Sequence, residues 1–270
     1  MKIFSIYKSM EKAAELCPDG QNIKILIRHS IRQDVKDDAS LETIENALLT
    51  REGKKMAERL GESLDMDIGT VSSSCTHRCV ETCQEIINGY NKNHSKYNHE
   101  IIRTEILQRP QCINVQEEHA TWGKIGMSGI FDGFAKNINM PGIYDLETSV
   151  NRMVDFVFET GNKNNTIDIF CTHDFQLALL LLLLNGKSLE YKQILFDKSG
   201  NWPFMLEGMF LWRDESDINI LWRDEKYSFG RGNHKTTKER LTEFYRADLE
   251  NKRKPQKEID WGSPTGKKIW

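Results

Sequence analysis

The chain has 270 residues, of which 39% are hydrophobic and 29% are charged, and its formal net charge is −3. This composition excludes a disordered chain and gives no general indication of nucleic-acid binding. Residues 231–270 contain 11 Lys/Arg and 6 Asp/Glu, so we expect a solvated basic C-terminal tail there. The longest apolar run, residues 177–184, is too short to span a bilayer, and no secretory signal is recognisable. We therefore expect a cytoplasmic protein without a membrane partner.

The first predicted elements are an amphipathic helix at Ser5–Leu16 and a buried strand at Ile23–Ile27. The strand runs directly into the segment Arg28-His29-Ser30-Ile31-Arg32. In open α/β sheets, ligands bind at the carboxyl ends of strands. Two guanidinium groups there suit a phosphate or a carboxylate, and the imidazole between them suits nucleophilic or acid–base chemistry. Taken alone, the segment is also typical of solvated charges in a loop, so its interpretation depends on the rest of the chain.

The middle of the chain alternates between predicted helices and strands. These elements are a helix from the N-cap Thr50 to about Leu64, a strand at Asp67–Ser73, a helix at Thr76–Tyr90 and a strand at Ile101–Leu107. Residues 33–48 are polar and are predicted to form a loop over the Arg-His segment. Residues 108–144 contain five glycines beside Trp122, Met127 and Phe131. We expect this region to be a small, irregular inserted cap, whose apolar side chains either contact a leaving group or pack on the sheet.

The second half of the chain continues this alternation and then changes to antiparallel strands. The predicted elements are a helix at Asp145–Thr160, a strand at Ile167–Cys171, a buried helix at Asp174–Leu184, a hairpin turning near Asp214–Asp217 and a helix near Thr237–Leu249. Strands alternating with helices indicate a parallel sheet covered on both faces. We predict an α/β fold, a three-layer α/β/α sandwich with a mostly parallel central sheet and a small inserted cap, in a single domain spanning 1–270.

Three of the predicted strands end in residues suited to bind an anion. They are Arg28, His29 and Arg32 after the first strand, Arg78 after the second, and His173 and Asp174 after the fourth. Parallel strands end at the same edge of a sheet, so these side chains are expected to converge. Three arginines and two histidines repel one another unless an anion lies between them. A phosphate or phosphoryl group is the natural occupant of such a site.

The other histidines and the cysteines are not assigned to this site. His77 is expected to be a neighbour of Arg78 without a catalytic role. The remaining histidines are expected on the surface: His94, His99, His119 and His234. Cys75, Cys79 and Cys83 repeat every four residues, which is helix spacing rather than the spacing of metal-binding pairs. We interpret them as reduced thiols and expect neither a metal nor a cofactor.

The four motifs together resemble the histidine phosphatase superfamily, which includes phosphoglycerate mutases, fructose-2,6-bisphosphatases, acid phosphatases and phytases. They are Arg28-His29-Ser30-Ile31-Arg32, Leu49-Thr50-Arg51-Glu52-Gly53, Ser73-Ser74-Cys75-Thr76-His77-Arg78-Cys79-Val80-Glu81-Thr82 and Thr172-His173-Asp174. The resemblance covers roughly residues 22–225. It implies that His29 is the nucleophile that becomes phosphorylated. It also implies that the phosphoryl oxygens are held by Arg28, Arg32, Arg78 and His173. Nearby cations are expected to lower the pKa of His29 and keep it neutral.

A leaving alkoxide also needs a proton donor. Asp174 matches the His-Asp pair of the acid-phosphatase branch, in which the aspartate has that role by resemblance. In the other branch the donor is a Glu after the third strand, where this chain reads Leu107-Gln108-Arg109-Pro110. Glu117 and Glu118 are the alternative donors. Ser30 stands where the family usually has glycine, a residue that tolerates positive φ, and its hydroxyl is a possible phosphate contact.

These residues predict a metal-independent phosphomonoester hydrolase that acts through phospho-His29. Its partners would be a phosphorylated small molecule and the product, inorganic phosphate, with no nucleic acid. One alternative is a phosphoglycerate-type mutase, which needs an extra cation for its substrate carboxylate, such as Arg103, Arg109 or Lys124. The other alternative is a non-catalytic phosphate-binding module. The identity of the substrate and the oligomeric state stay open.

Overall fold

The centre of the protein is a seven-stranded sheet in the order β3-β2-β4-β1-β5-β6-β7. Its strands are β1 (Ile23–Arg28), β2 (Asp67–Ser73), β3 (Ile102–Arg103), β4 (Thr166–Thr172), β5 (Gly208–Arg213), β6 (Asp217–Trp222) and β7 (Glu225–Gly230). The computed structural model describes residues 1–3, 5, 7–36, 41–94, 96–98, 100–186, 202–214 and 217–230. The first four strands are parallel, and β5 to β7 continue as an antiparallel meander. Five strands therefore run in one direction, and the predicted mostly parallel sheet is confirmed.

Helices cover both faces of this sheet. They are α1 (Lys8–Glu15), α2 (Leu41–Glu45), α3 (Arg51–Glu62), α4 (His77–Asn93), α5 (Val115–Ala135), α6 (Leu146–Glu159) and α7 (Asp174–Leu184). Alternate residues of β1 pack on opposite faces: Ile25 and Ile27 contact the core of α1, α3 and α4, whereas Leu26 contacts the core of α5, α6 and α7. This alternation is the period of two expected for a strand. The predicted three-layer α/β/α sandwich is confirmed.

The predicted hairpin is formed by β5 and β6, with Phe210 opposite Leu221 and the Asp214 amide donating to the Asp217 carbonyl over 2.9 Å. The N-cap prediction for α3 is also correct, because Thr50 Oγ1 accepts the Gly53 amide over 3.0 Å. The basic tail at 231–270 and the helix predicted near 237–249 lie outside the described residues.

Three local predictions are wrong. The strand predicted at Ile101–Leu107 is only Ile102–Arg103, because the Thr104 hydroxyl accepts the Ile106 amide and begins a 3-10 helix at Glu105–Leu107. Residues 41–45 form α2 within the region predicted to be a loop. The region 108–144 is more regular than predicted, since α5 begins with an Asn114 side-chain cap and runs for 21 residues. Gly126, with φ 62° and ψ −179°, interrupts that helix with a kink.

Candidate active site

His29 lies immediately after β1, where its backbone amide donates to the Thr172 carbonyl over 3.0 Å and joins the ends of β1 and β4. The side chain is buried, and Nδ1 is 2.7 Å from the Ser30 carbonyl oxygen. A carbonyl only accepts hydrogen bonds, so Nδ1 carries the proton and Nε2 is unprotonated and can accept. Nε2 accepts a hydrogen bond from Arg78 Nε over 3.2 Å. Burial, together with His173 and Arg78, lowers the pKa of His29 to about 3. The direction agrees with the sequence prediction, but burial is the larger cause.

Arg78 connects the two histidines of the site from the first turn of α4. Its Nη2 donates to His173 Nδ1 over 3.2 Å, and Nη1 donates to the Ile44 carbonyl over 2.8 Å. Because a guanidinium only donates, Nδ1 of His173 is an acceptor and Nε2 carries the proton. That Nε2–H donates to Ser74 Oγ over 3.0 Å. The two imidazole rings lie 5.4 Å apart, centroid to centroid.

Arg28 and Asp174 form an ion pair beside the histidines. Arg28 Nη2 is 2.8 Å from Asp174 Oδ2, and Arg28 Nη1 donates to the Pro203 carbonyl over 2.6 Å. The Trp202 indole donates to the same Asp174 oxygen over 3.0 Å. Burial raises the pKa of Asp174, but Arg28, Trp202 and the two histidines lower it, and the net direction is downward. The carboxylate is therefore ionised in this arrangement.

Ser30 is engaged within the protein, so a contact of its hydroxyl with phosphate stays a prediction. It is fully buried, its hydroxyl donates to the Gly53 carbonyl over 2.7 Å, and its amide donates to Thr82 Oγ1 over 3.0 Å. Its φ is not among the positive values found for non-glycine residues. Gly53 allows this contact, because a Cβ at that position would lie 2.2 Å from the Ile31 carbonyl oxygen. The serine thus fixes the loop after β1 to the start of α3.

A cleft of about 630 Å³ opens over these residues and includes Arg28, His29, Arg32, Arg78, His173 and Asp174 in its wall. All six side chains predicted for the site are therefore brought together. Arg32 is half-buried at the cleft, and its Nη1 donates to the Gln33 carbonyl. Of the two alternative donors, buried Glu118 lines the cleft, whereas Glu117 is exposed and is not part of the wall.

Helix α5 contributes much of the wall opposite the strand ends. Trp122 and Met127 line the cleft, but Phe131 is fully buried in the core against Phe175 and Trp202. His119, which was expected on the surface, is half-buried in the wall of the cleft, where its Nε2 accepts from Arg109 Nη1 over 2.8 Å. It comes close to the site because it lies on the regular helix α5.

Several residues of the cleft were missed in the sequence. They are Ile44, Glu45, Gln108, Gln111 and Gln176 in the wall, together with Ser74 and Trp202 behind the histidine and the aspartate. The position of Gln176, two residues after Asp174 on α7, was a usable signal, since the first turn of that helix faces the strand ends. The sequence had no comparable signal for Glu45, which reaches the site from α2.

None of the six cysteines is in the wall of the cleft, although Cys79 lies beside His173. All six are free thiols, and Cys79 Sγ is 3.8 Å from His173 Nε2. Cys79 and Cys83 are buried on one face of α4, as their spacing predicted. Within the described ranges, no three His, Cys, Asp or Glu side chains are grouped closely enough to hold a metal ion.

The family model of the histidine phosphatase superfamily (branch 1) matches residues 25–195. The chain therefore belongs to the histidine phosphatase superfamily, as its motifs indicated. The match is to branch 1, whereas the His173-Asp174 pair resembles the acid-phosphatase branch, so a donor role for Asp174 stays a prediction. A search of curated proteins finds no match.

The fold is also similar to solved structures of low sequence identity. YhfR of Bacillus stearothermophilus is 14% identical with a TM-score of 0.46, over 72% of this chain and 92% of that chain. A phosphoserine phosphatase mutant of Entamoeba histolytica in complex with phosphoserine is 13% identical with a TM-score of 0.45, over 75% and 97%. Phosphoglycerate mutase from Bacillus anthracis str. Sterne is 13% identical with a TM-score of 0.44, over 78% and 93%. Among the described helices, none is long and apolar enough to cross a membrane.

Proposed function

We propose that this protein is a metal-independent phosphomonoester hydrolase that acts through a phosphohistidine on His29. The observation that carries this proposal is the tautomer of His29. Its Nδ1 proton is held by the Ser30 carbonyl, so Nε2 is the unprotonated nitrogen in the wall of the cleft, and its lone pair becomes the nucleophile when Arg78 Nε turns from it to the phosphoryl group. A low pKa keeps the ring neutral at physiological pH, as a nucleophile requires.

In the first step, His29 Nε2 attacks phosphorus in line with the ester oxygen. The N–P bond forms as the P–O bond to the alcohol breaks, and the leaving oxygen takes a proton from Asp174. Negative charge on the three phosphoryl oxygens is stabilised by Arg28, Arg32 and Arg78, and by His173 when its Nε2–H turns from Ser74 Oγ to the phosphoryl group. This stabilisation is the main contribution that a protein makes to phosphoryl transfer.

In the second step, water attacks the phosphohistidine and the N–P bond breaks. Asp174, now a carboxylate, accepts a proton from the water. Inorganic phosphate leaves, and both His29 and Asp174 return to their starting forms. The Trp202 hydrogen bond at 3.0 Å holds the Asp174 carboxylate in position through both steps.

Protonation of Asp174 depends on the substrate, because Arg28 and Trp202 hold its pKa low in the present arrangement. A phosphoryl dianion competes with Asp174 for the Arg28 guanidinium, which is 2.8 Å from the carboxylate. It also brings negative charge close to the carboxylate. Both effects raise the pKa of a carboxyl group. Substrate binding would therefore favour protonation of Asp174 from the solvent.

The test is a rapid-quench experiment with a ³²P-labelled phosphomonoester, kept alkaline because phosphohistidine is labile in acid. We expect label on the wild-type protein, mapped to His29 by peptide analysis, and no turnover in His29→Ala. The exposed His77, at the start of α4, provides the matched control as His77→Ala. Turnover by His29→Ala, or label on another residue, would refute the mechanism.

A mutase would need a cationic side chain in the cleft that is free to bind the carboxylate of its substrate. The three candidates do not meet this need, which favours hydrolysis. Arg109 is already bound by Glu45 and His119, over 2.5 and 2.8 Å. Arg103 and Lys124 are not in the wall of the cleft. Phosphate released in equal amount to alcohol supports the hydrolase, whereas transfer to a second hydroxyl of a sugar acid identifies a mutase. If the protein binds phosphate but hydrolyses no phosphoester, it is a non-catalytic phosphate-binding module.

A further inference from the structure

The cleft that contains His29 is also lined by four side chains with an oxygen that accepts no hydrogen bond. We call them the acceptor cluster: Gln108, Gln111, Glu118 and Gln176. The oxygens are Oε1 of the three glutamines and Oε2 of Glu118, and none has a hydrogen-bond partner within the described part of the chain. Three of the four side chains are almost fully buried, with exposures of 3% for Gln111, 2% for Glu118 and 3% for Gln176. Buried acceptors without donors are destabilising, so four in one cleft require an explanation.

The orientation of each glutamine amide is fixed by its nitrogen. Gln108 Nε2 donates to Glu45 Oε1 over 3.0 Å, Gln111 Nε2 donates to Glu118 Oε1 over 2.6 Å, and Gln176 Nε2 donates to the Gln108 carbonyl over 2.6 Å. Rotating any of these amides by 180° would bring its oxygen against a carboxylate or carbonyl oxygen. The oxygens of the cluster therefore stay as acceptors, and only a ligand or water can supply their donors.

The Glu118 carboxylate is only loosely paired with a cation. It shares one guanidinium, Arg109, with Glu45, and a second cation nearby, Arg152, donates to the Cys112 carbonyl over 3.3 Å. Arg109 Nη2 is 2.5 Å from Glu45 Oε1, but Arg109 Nη1 is 3.8 Å from Glu118 Oε2. Besides Gln111, which donates to Oε1, Glu118 has the thiol of Cys112 as a neighbour, a weak donor whose pKa is raised to about 11 by burial and by that carboxylate. With Oε2 paired this weakly, the buried carboxylate favours a cation.

We propose that the acceptor cluster binds the alcohol part of the substrate and selects phosphomonoesters whose leaving group carries an ammonium group. This inference rests on the proposed function, because it assigns the leaving group of the same reaction. The ammonium has three donors and no acceptor, so it matches a cluster that has acceptors only. Its charge balances Glu118. A carboxylate or second phosphate on the leaving group would instead face oxygens and a guanidinium already bound to Glu45.

Three two-carbon esters of similar size test this proposal: O-phosphoethanolamine, 2-hydroxyethyl phosphate and phosphoglycolate, with ammonium, hydroxyl and carboxylate ends. We expect kcat/KM of the wild-type protein to be at least about tenfold higher for the ammonium ester than for the hydroxyl ester, the effect of one charge-assisted hydrogen bond. The carboxylate ester should be the poorest. Equal or better turnover of either other ester would overturn the proposal.

Glu118→Gln isolates the charge, because it keeps the shape of the side chain. The ratio of kcat/KM for the ammonium and hydroxyl esters should fall about tenfold in this variant, and the ratio cancels the different acidities of the two alcohols. Glu117→Gln, one residue earlier and outside the wall of the cleft, should keep the wild-type ratio. An unchanged ratio in Glu118→Gln would overturn the assignment of the carboxylate.

Calorimetric titration separates this inference from the proposed function. His29→Ala cannot form the phosphohistidine, so the affinities of the three esters for this variant rank the leaving groups without turnover. Tightest binding of O-phosphoethanolamine supports the acceptor cluster even if the reaction class is wrong. Turnover of p-nitrophenyl phosphate with no preference for ammonium in either assay would refute the cluster and leave the hydrolase intact.

Discussion

The buried, neutral state of His29 predicts a specific dependence of stability on pH. Its pKa is about 3 in the native protein, against 6.5 for an unperturbed histidine. The unfolded chain therefore binds one more proton than the native protein between these values, so native stability is lost as the pH falls from 6.5 towards 3 and is complete above 6.5. The linkage relation gives a loss of about 2.5 kcal/mol between pH 7 and pH 4.5, with a limiting slope of about 1.4 kcal/mol per pH unit.

The perturbation is His29→Gln, which removes the titrating ring and keeps a polar side chain in its place. The free energy of unfolding is measured by urea denaturation at several values between pH 7 and pH 4.5, using tryptophan fluorescence. We expect the variant to lose about 2.5 kcal/mol less than the wild type over this range. His77→Gln removes an exposed histidine and should follow the wild-type curve. Parallel curves for the wild type and His29→Gln would show that His29 titrates normally and would refute our account of the nucleophile.

Three further predictions concern the donor and the backbone of the site. Asp174→Asn should slow the hydrolysis of alkyl esters about 10²- to 10⁴-fold but that of p-nitrophenyl phosphate much less, since a phenolate needs little protonation; equal losses in kcat would exclude Asp174 as donor. Phosphate binding near pH 5 should take up about one proton more in the wild type than in Asp174→Asn, because any change in the protonation of phosphate itself is common to both; calorimetry in buffers of different ionisation enthalpy measures the difference, and equal uptake by the two proteins would contradict protonation of Asp174. Gly53→Ala should lower the free energy of unfolding by about 1–3 kcal/mol, because its Cβ meets the Ile31 carbonyl oxygen at 2.2 Å, whereas Gly123→Ala, with open space around it, should not.

The parts of the fold and site that could be predicted depend on local patterns. Each strand-end motif is recognisable from adjacent residues alone. One is a buried strand followed by Arg28 and His29, and the other is a strand end followed by His173 and Asp174. The rule that parallel strands end at one edge then brings them together. For this reason the sequence was sufficient to predict which side chains converge, although their roles stay predictions.

The parts that could not be predicted depend on contacts between distant segments. The protonated nitrogen of His29 is set by the Ser30 carbonyl, and that geometry is not encoded in residue type. Glu45 and Gln108 meet across 63 positions of sequence. The third strand was predicted too long because the contact that ends it, between the Thr104 hydroxyl and the Ile106 amide, is not evident from the sequence; the strand that forms is short, and its Ile102 is 42% exposed at the edge of the sheet.

The kink at Gly126 divides helix α5 into two parts that contact different regions of the protein. The part before it contributes Glu118 and Trp122 to the cleft, while the part after it contributes Met127 and is then anchored in the core by Phe131 and Phe134. Its φ of 62° and ψ of −179° belong to a region that is essentially restricted to glycine. A substitution there would swing the wall of the cleft while the anchor stays in place. The shape of the cleft in which we propose that the leaving group binds is thus set partly by one backbone angle, and not only by the residues in its wall.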